Sequence, residues 1–208
     1  LGGYSLFGIH FTYQSALRDV LIVILSLVSL ATTKKDHRAA NDFGWGPIRE
    51  VAILFLGIFI TIVAPLLILR AGPNGAAAFL INTISTPARF FWATGGLSSF
   101  LDNAPTYLTF FTLALGNLGI NPSDVTAILN GQLFHPAAAQ FVRNLTAIST
   151  GSVFMGAMTY IGNAPNFMVR SIAEESKIAM PSFFGYMIWS VGILIPIFIV
   201  IDIVSYIF

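Results

Sequence analysis

Cysteine is absent from this 208-residue chain, and charged residues make up only 9% of it. Without cysteine the chain has no disulfides and no thiolate ligands for a metal. A soluble domain carries about 25% charged residues. This chain is instead 56% hydrophobic, with a mean hydropathy of +0.81. The composition therefore predicts an integral membrane protein in contact with lipid.

Histidine and clustered basic residues are also scarce. His10, His37 and His135 are scattered and lack the spacing of metal ligands. The net charge is +1, and no basic cluster suggests nucleic acid as a partner. No cleavable signal peptide is visible, and the chain begins at Leu1. We therefore expect it to be the C-terminal part of a longer protein.

Four apolar stretches predict a multi-pass protein of the inner (plasma) membrane. They are Ala16–Thr33, Val51–Leu69, Ala137 to about Tyr160, and Pro181–Phe208. The polar loop Lys34–Glu50 carries four of the ten lysine and arginine residues of the chain. Loops rich in these residues stay in the cytoplasm, so we place this loop there.

Two polar motifs interrupt the apolar sequence. Asp102 lies in the stretch Ser-Ser-Phe-Leu-Asp-Asn-Ala-Pro-Thr, which begins at Ser98. The core Asn-Ala-Pro returns sixty residues after Asn103, at Asn163. An acidic residue inside a membrane segment is a candidate functional residue. Paired proline-broken segments indicate a transporter site near the middle of the membrane.

The sequence around the first motif is compatible with two topologies. Ala76–Phe100 and Tyr107–Leu118 are either two full spans or the arms of a re-entrant hairpin. The second arm is too short to cross the membrane, which favours the hairpin. The second motif is expected to break a long helix, which resumes at Phe167–Lys177.

The residues of the two motifs suit either a cation or an anion. Asp102, Asn103, Asn163 and Thr106 offer the oxygen ligands that a small hard cation such as Na⁺ prefers. The N–H groups at a broken helix end suit an anion instead. A carboxylate that holds either Na⁺ or H⁺ is the minimal machinery for exchange, so Asp102 favours the cation. Alternatively, Asp102 and the asparagines only cap the broken helices.

Ser99–Thr106 and Thr159–Phe167 resemble the ion transporter superfamily. It includes citrate-metal and di- and tricarboxylate carriers, arsenite pumps and D-type sodium/proton antiporters. The resemblance covers residues 76–208. Within the superfamily, the chain is similar to bacterial proteins labelled both citrate transporter and sodium:proton antiporter. It implies that Leu101–Thr106 is the tip of the second re-entrant hairpin and Gly162–Asn166 an unwound link. An inverted N-terminal repeat upstream in the same chain is implied too, as is a homodimer with elevator-like movement.

One departure from the family pattern bears on the substrate. Carboxylate carriers of the superfamily have a Ser-Asn-Thr type signature at such tips. Here Asp102 stands at the serine position, and Ala104 and Pro105 separate Asn103 from Thr106. This departure therefore favours the antiporter over carboxylate transport.

We predict an all-α membrane protein, with residues 1–75 leading into a C-terminal transport repeat, 76–208. The repeat has a hairpin tip at 101–106 and a helix break at 161–166. The predicted function is exchange of Na⁺ for H⁺, and the alternative is a Na⁺-, H⁺- or metal-coupled citrate or other carboxylate carrier. An intramembrane hydrolase and a non-transporting subunit are the remaining alternatives. We expect no enzymatic activity and no cofactor. The predicted ion or substrate contacts are Ser99, Asp102, Asn103, Thr106, Thr159, Asn163 and Asn166. Of these, Asp102, Asn103 and Asn163 would hold Na⁺. Pro105, Gly162 and Pro165 would shape the breaks.

Overall fold

A computed structural model of the chain describes residues 2–6, 9–41, 43–61, 63–70, 76 and 78–207. The side chains of His10 and Pro65 lie outside this description, and so does most of the tight loop predicted for residues 70–75. The predicted domain boundary at residue 75 falls in the same gap. The chain forms two compact units, Leu1–Gly44 and Trp45–Phe208.

The first unit contains a β-hairpin followed by two helices. Strands β1 (Gly3–Leu6) and β2 (Ile9–Thr12) pair antiparallel, with Gly3 opposite Thr12. Aromatic and β-branched residues favour strands here. The hairpin corrects the all-α expectation to a nearly all-α chain.

Helix α1 (Tyr13–Thr32) begins at a threonine cap, since the Thr12 side chain accepts the Ser15 N–H at 3.2 Å. Its 20 residues extend about 30 Å, and none of them is buried. Helix α2 (Lys35–Ala40) follows, and its Arg38 guanidinium donates to the carbonyls of Ser29 and Leu30 at the end of α1. The predicted polar loop therefore contains a helix that closes back on α1.

The described residues of the second unit form helices joined by turns and loops, and none of them forms a strand. Its helices are α3 (Gly46–Thr61), α4 (Val63–Arg70), α5 (Ala78–Thr83), α6 (Pro87–Ser98), α7 (Asn103–Leu118), α8 (Val125–Leu129), α9 (Ala138–Met155), α10 (Ala164–Glu175) and α11 (Phe183–Asp202). Short 3₁₀ turns precede α8 and follow α9, and a π-helical turn, Ile203–Ile207, follows α11.

Helices α6 and α7 form a helical hairpin. Thr86 caps α6, whose first residue is Pro87, and α7 ends at Gly119, which adopts a φ of +64° that suits glycine. At the base, the Asn117 side-chain amide donates to the Ile84 carbonyl at 2.9 Å. The end of α7 therefore lies beside the start of α6.

Both breaks begin and end earlier than the sequence indicated. The first is non-helical over residues 99–102 and the second over 159–163, because α7 begins at Asn103 and α10 at Ala164. Pro105 and Pro165 thus lie in first helical turns. A proline is tolerated there, since the first N–H groups of a helix have no intrahelical partner.

The core of this unit lies between α6, α7, α9 and α11. Its fully buried side chains include Phe90, Phe91, Leu113 and Ile148. Among the described residues, two helices are long and apolar enough to cross a membrane, Tyr13–Thr32 and Phe183–Tyr206. The span predicted for Val51–Leu69 instead falls on two shorter helices, α3 and α4.

Candidate functional site

Helices α6 and α9 run side by side in the same direction, and equivalent residues of the two motifs meet. Four contacts between them have an offset of sixty residues, as in the hydrogen bond from the Thr159 hydroxyl to the Ser99 carbonyl. The facing pairs are Phe91 with Gly151, Gly95 with Met155, Ser99 with Thr159, and Asn103 with Asn163. The repeat seen in the sequence is therefore a repeat in space.

Glycines allow the two segments to approach closely. A Cβ on Gly151 would lie 2.5 Å from the Phe91 carbonyl oxygen. A Cβ on Gly162 would lie 2.7 Å from the carbonyl oxygens of Ser98 and Ser99 and 2.8 Å from that of Gly156. Only glycine permits this backbone contact.

Hydroxyl groups replace the backbone hydrogen bonds that the breaks remove. The Ser98 hydroxyl donates to the Ser152 carbonyl at 2.5 Å, and the Ser99 hydroxyl donates to the Met155 carbonyl at 3.1 Å. The Thr159 hydroxyl also accepts the Gly162 N–H at 3.0 Å. Irregular backbone in a membrane protein needs such internal partners.

The side-chain amides of the two motifs bind each other. In the orientation that satisfies both amides, the Asn103 oxygen accepts from the Asn163 amide nitrogen at 3.1 Å. The Asn103 nitrogen then donates to the carbonyls of Ser152 and Gly162, at 2.8 and 3.1 Å. Asn103 therefore ties the hairpin tip to the second break.

The carboxylate of Asp102 caps two helices at once. One oxygen accepts the Ala104 N–H at the start of α7, and the other accepts the Ala164 N–H at the start of α10, both at 3.2 Å. Each helix N-terminus carries partial positive charge. The counterpart of Asp102 in the second motif is Gly162, where a Cβ would collide with backbone. One carboxylate thus serves both helices.

Backbone oxygens also converge at this junction, around Gly162. The carbonyls of Ser98, Ser99 and Gly156 all lie against Gly162. The Ser99 oxygen is taken by Thr159. Such oxygens are ligands for a small hard cation, so the junction contains both N–H groups and carbonyl oxygens.

The structure brings together six of the predicted site residues: Ser99, Asp102, Asn103, Thr159, Gly162 and Asn163. Thr106 is fully buried, and its hydroxyl has no hydrogen-bond partner among the described residues. Asn166 lies in the first turn of α10, where its backbone N–H donates to the Asn163 carbonyl at 3.1 Å.

The predicted set lacked Ser98, Gly156 and the N–H groups of Ala104 and Ala164. Ala104 and Ala164 belong to the repeated Asn-Ala-Pro cores, and that repeat is the signal that could have found them, whereas the sixty-residue offset pairs Ser98 with Met158 and does not find it. The two nearby arginines lie apart from the junction: Arg89 donates to the Thr83 carbonyl at 2.8 Å, and Arg143 is exposed.

Apolar helices around a doubly broken polar junction define a membrane transporter. A family model described as "Putative citrate transport" matches residues 2–206, so the chain belongs to this family. The match confirms the resemblance that the two motifs indicated. No curated protein and no solved structure matches the chain.

Proposed function

We propose that the protein is a secondary transporter of citrate or a similar di- or tricarboxylate. One observation carries this proposal, namely that the Asp102 carboxylate accepts N–H groups from the N-termini of both α7 and α10. These helix N-termini have donors that suit a carboxylate, and Asp102 occupies them in this structure. The family description names the same class of substrate.

The asparagine pair supports binding of a carboxylate beside these N-termini. Asn103 and Asn163 present amide nitrogens as well as oxygens at the junction. The Asn163 amide nitrogen has two hydrogens and donates one to Asn103, so the second can donate to a substrate carboxylate. In this proposal the asparagines contact both substrate and coupling ion.

A coupling cation is proposed at the carbonyl oxygens around Gly162. The carbonyls of Ser98 and Gly156, next to Gly162, would supply part of its ligands. A bound Na⁺ would offset the negative charge of the substrate close by. Enzymatic activity and a resident cofactor are not part of this proposal.

The α6–α7 hairpin is proposed to be re-entrant. Helix α6 has 12 residues, about 18 Å of helix, against a hydrocarbon core of about 30 Å. The bond between Asn117 and Ile84 holds both ends of the hairpin at one level. A multi-pass plasma-membrane protein, an inverted upstream repeat and a homodimer complete the proposed architecture.

Uptake of labelled citrate into proteoliposomes tests the proposal. We expect Asn103→Ala and Asn163→Ala each to reduce uptake at least tenfold, because each removes donors at the junction. Asn121→Ala is the matched control, since Asn121 lies exposed in the turn after α7. Normal uptake by both junction variants would refute the proposed site.

Exchange of Na⁺ for H⁺ is the second candidate, and Asp102 favours it. A single carboxylate that holds either Na⁺ or H⁺ is the minimal machinery for such exchange. With a pH dye inside the vesicles, Na⁺, Li⁺ or K⁺ is added outside, and citrate is added separately. Cation-driven proton movement that is lost in Asp102→Asn would establish exchange. Citrate uptake without that movement would establish the carboxylate carrier.

A further inference from the structure

A second acidic side chain is buried in this unit, away from the junction. Asp202 ends α11 and is 9% exposed. It is the only acidic or basic residue of the apolar stretch Phe183–Tyr206. The Trp92 indole N–H on α6 donates to one of its oxygens at 2.8 Å. The other oxygen is buried and has no partner among the described residues.

The surroundings of Asp202 are mainly aromatic. The Phe91 ring lies 6.4 Å from that of Phe198 and 5.4 Å from that of Tyr206, measured between centroids. The Tyr206 hydroxyl is hydrogen-bonded to Thr150 on α9. Arg89, one turn before Trp92, donates to the Thr83 carbonyl.

No ion pair joins Asp202 to a basic side chain in the part of the chain that the structure describes. The charged and titratable groups on the elements packed here are Tyr206 in the turn after α11, Arg89 on α6 and Arg143 on α9. An ionised carboxylate with one neutral donor is costly in such a place, because its charge is not compensated. A monovalent cation on the second oxygen removes that cost.

We propose that Asp202 binds a small monovalent cation, H⁺ or Na⁺, at a second site distinct from the junction. Trp92 also borders an open groove with Thr83, Ile84, Arg89 and Ala93, and this groove is the path to the site. Trp92 lies seven residues before Ser99, or about 10 Å along α6. Cation binding at Asp202 therefore acts on the helix that ends in the hairpin tip.

Trp92 is a built-in reporter for this site. The chain has three tryptophans. In the double variant Trp45→Phe/Trp189→Phe, Trp92 is the only tryptophan left, so all of the indole emission comes from it. The purified protein in nanodiscs is titrated with Na⁺ at constant pH, with choline as balancing ion, and then with acid in the absence of Na⁺. We expect the Trp92 emission maximum to shift with one of the two ions, which identifies the ligand. Asp202→Asn should abolish that shift.

Asp19→Asn is the control, because the Asp19 carboxylate is exposed near the start of its helix. The shift of the Trp92 emission should remain in this variant. A Trp92 emission that responds to neither ion overturns the proposal, and so does a shift that persists in Asp202→Asn. If Asp202→Asn does not fold, Asp202→Glu replaces it. In Asp202→Glu the Trp92 emission maximum must still shift, but the midpoint of the titration must differ from that of the wild type. An unchanged midpoint counts against the site.

Discussion

Asp102 holds together two helices that begin on separate segments of the chain. Its two oxygens accept one N–H each from α7 and α10. A capping side chain ordinarily serves a single helix. Asp102 can cap both helices because α6 and α9 pack in parallel, which brings the N-termini of α7 and α10 to the same point.

We expect Asp102→Ala to destabilise the protein as much as the loss of two caps. A single cap contributes about 0.5–2 kcal/mol, so the free energy of unfolding should fall by about 1–4 kcal/mol. Ser182→Ala is the matched control, since Ser182 caps only α11, through the Gly185 N–H at 3.1 Å. Denaturation in detergent measures both variants. Equal losses would show that Asp102 caps one helix only.

Gly162 lies where three carbonyl oxygens meet, at 2.7 to 2.8 Å from the position of a Cβ. Gly162→Ala must displace backbone, at a cost of about 1–3 kcal/mol. We expect transport to fall at least tenfold, because the displaced backbone belongs to the junction. Gly192→Ala serves as the control, since nothing lies within 4 Å of its Cβ position. Transport by Gly162→Ala at the wild-type rate would contradict the close contact.

At the level of helices, the pairing of α6 with α9 sets the geometry of the junction. Four contacts keep one offset, from Phe91–Gly151 at the helix middle to Asn103–Asn163 at the breaks. Small residues permit this approach in lipid. A change of register would carry Ala164 away from Asp102.

Gly151→Ala should therefore separate the two helices. Its Cβ would meet the Phe91 carbonyl oxygen at 2.5 Å, and we expect a loss of about 1–3 kcal/mol in unfolding free energy. Gly96→Ala on α6 is the matched control, because nothing lies within 4 Å of its Cβ position. That variant should gain up to about 1 kcal/mol from its helix propensity. The opposite order of the two stabilities would refute the helix contact.

At the scale of the whole molecule, the depth of the hairpin decides how the chain crosses the membrane. Phe100 at the tip is 51% exposed, and the loops at the base contain the exposed residues Ser85 and Asn121. A re-entrant hairpin places both base loops on one side and the tip within the bilayer depth.

Labelling of single cysteines checks this topology, since the chain has no cysteine of its own. A bulky impermeant maleimide should label Ser85→Cys and Asn121→Cys from one side of sealed vesicles. Phe100→Cys should react from neither side, because the reagent cannot reach the tip. Labelling of Phe100→Cys from the opposite side would instead indicate two full spans.

The sequence by itself determined the membrane class, the two broken segments and their offset of sixty residues. Those features depend on composition and on the positions at which Asn-Ala-Pro interrupts apolar sequence. Both can be read from the sequence without knowing which segments are in contact. The β-hairpin at Gly3–Thr12 was missed because its strands are only four residues long, too short for a periodic pattern. The break boundaries were placed too late because proline was taken as the interruption rather than as the first helical turn.

Only the tertiary structure decided which groups meet. The parallel approach of α6 and α9, the bond between Asn103 and Asn163, and the double cap by Asp102 depend on packing between segments sixty residues apart. The burial of Asp202 against Trp92 joins residues 110 positions apart. Pairing over such distances depends on which glycine faces which carbonyl, and the spacing of residues along the chain does not specify that.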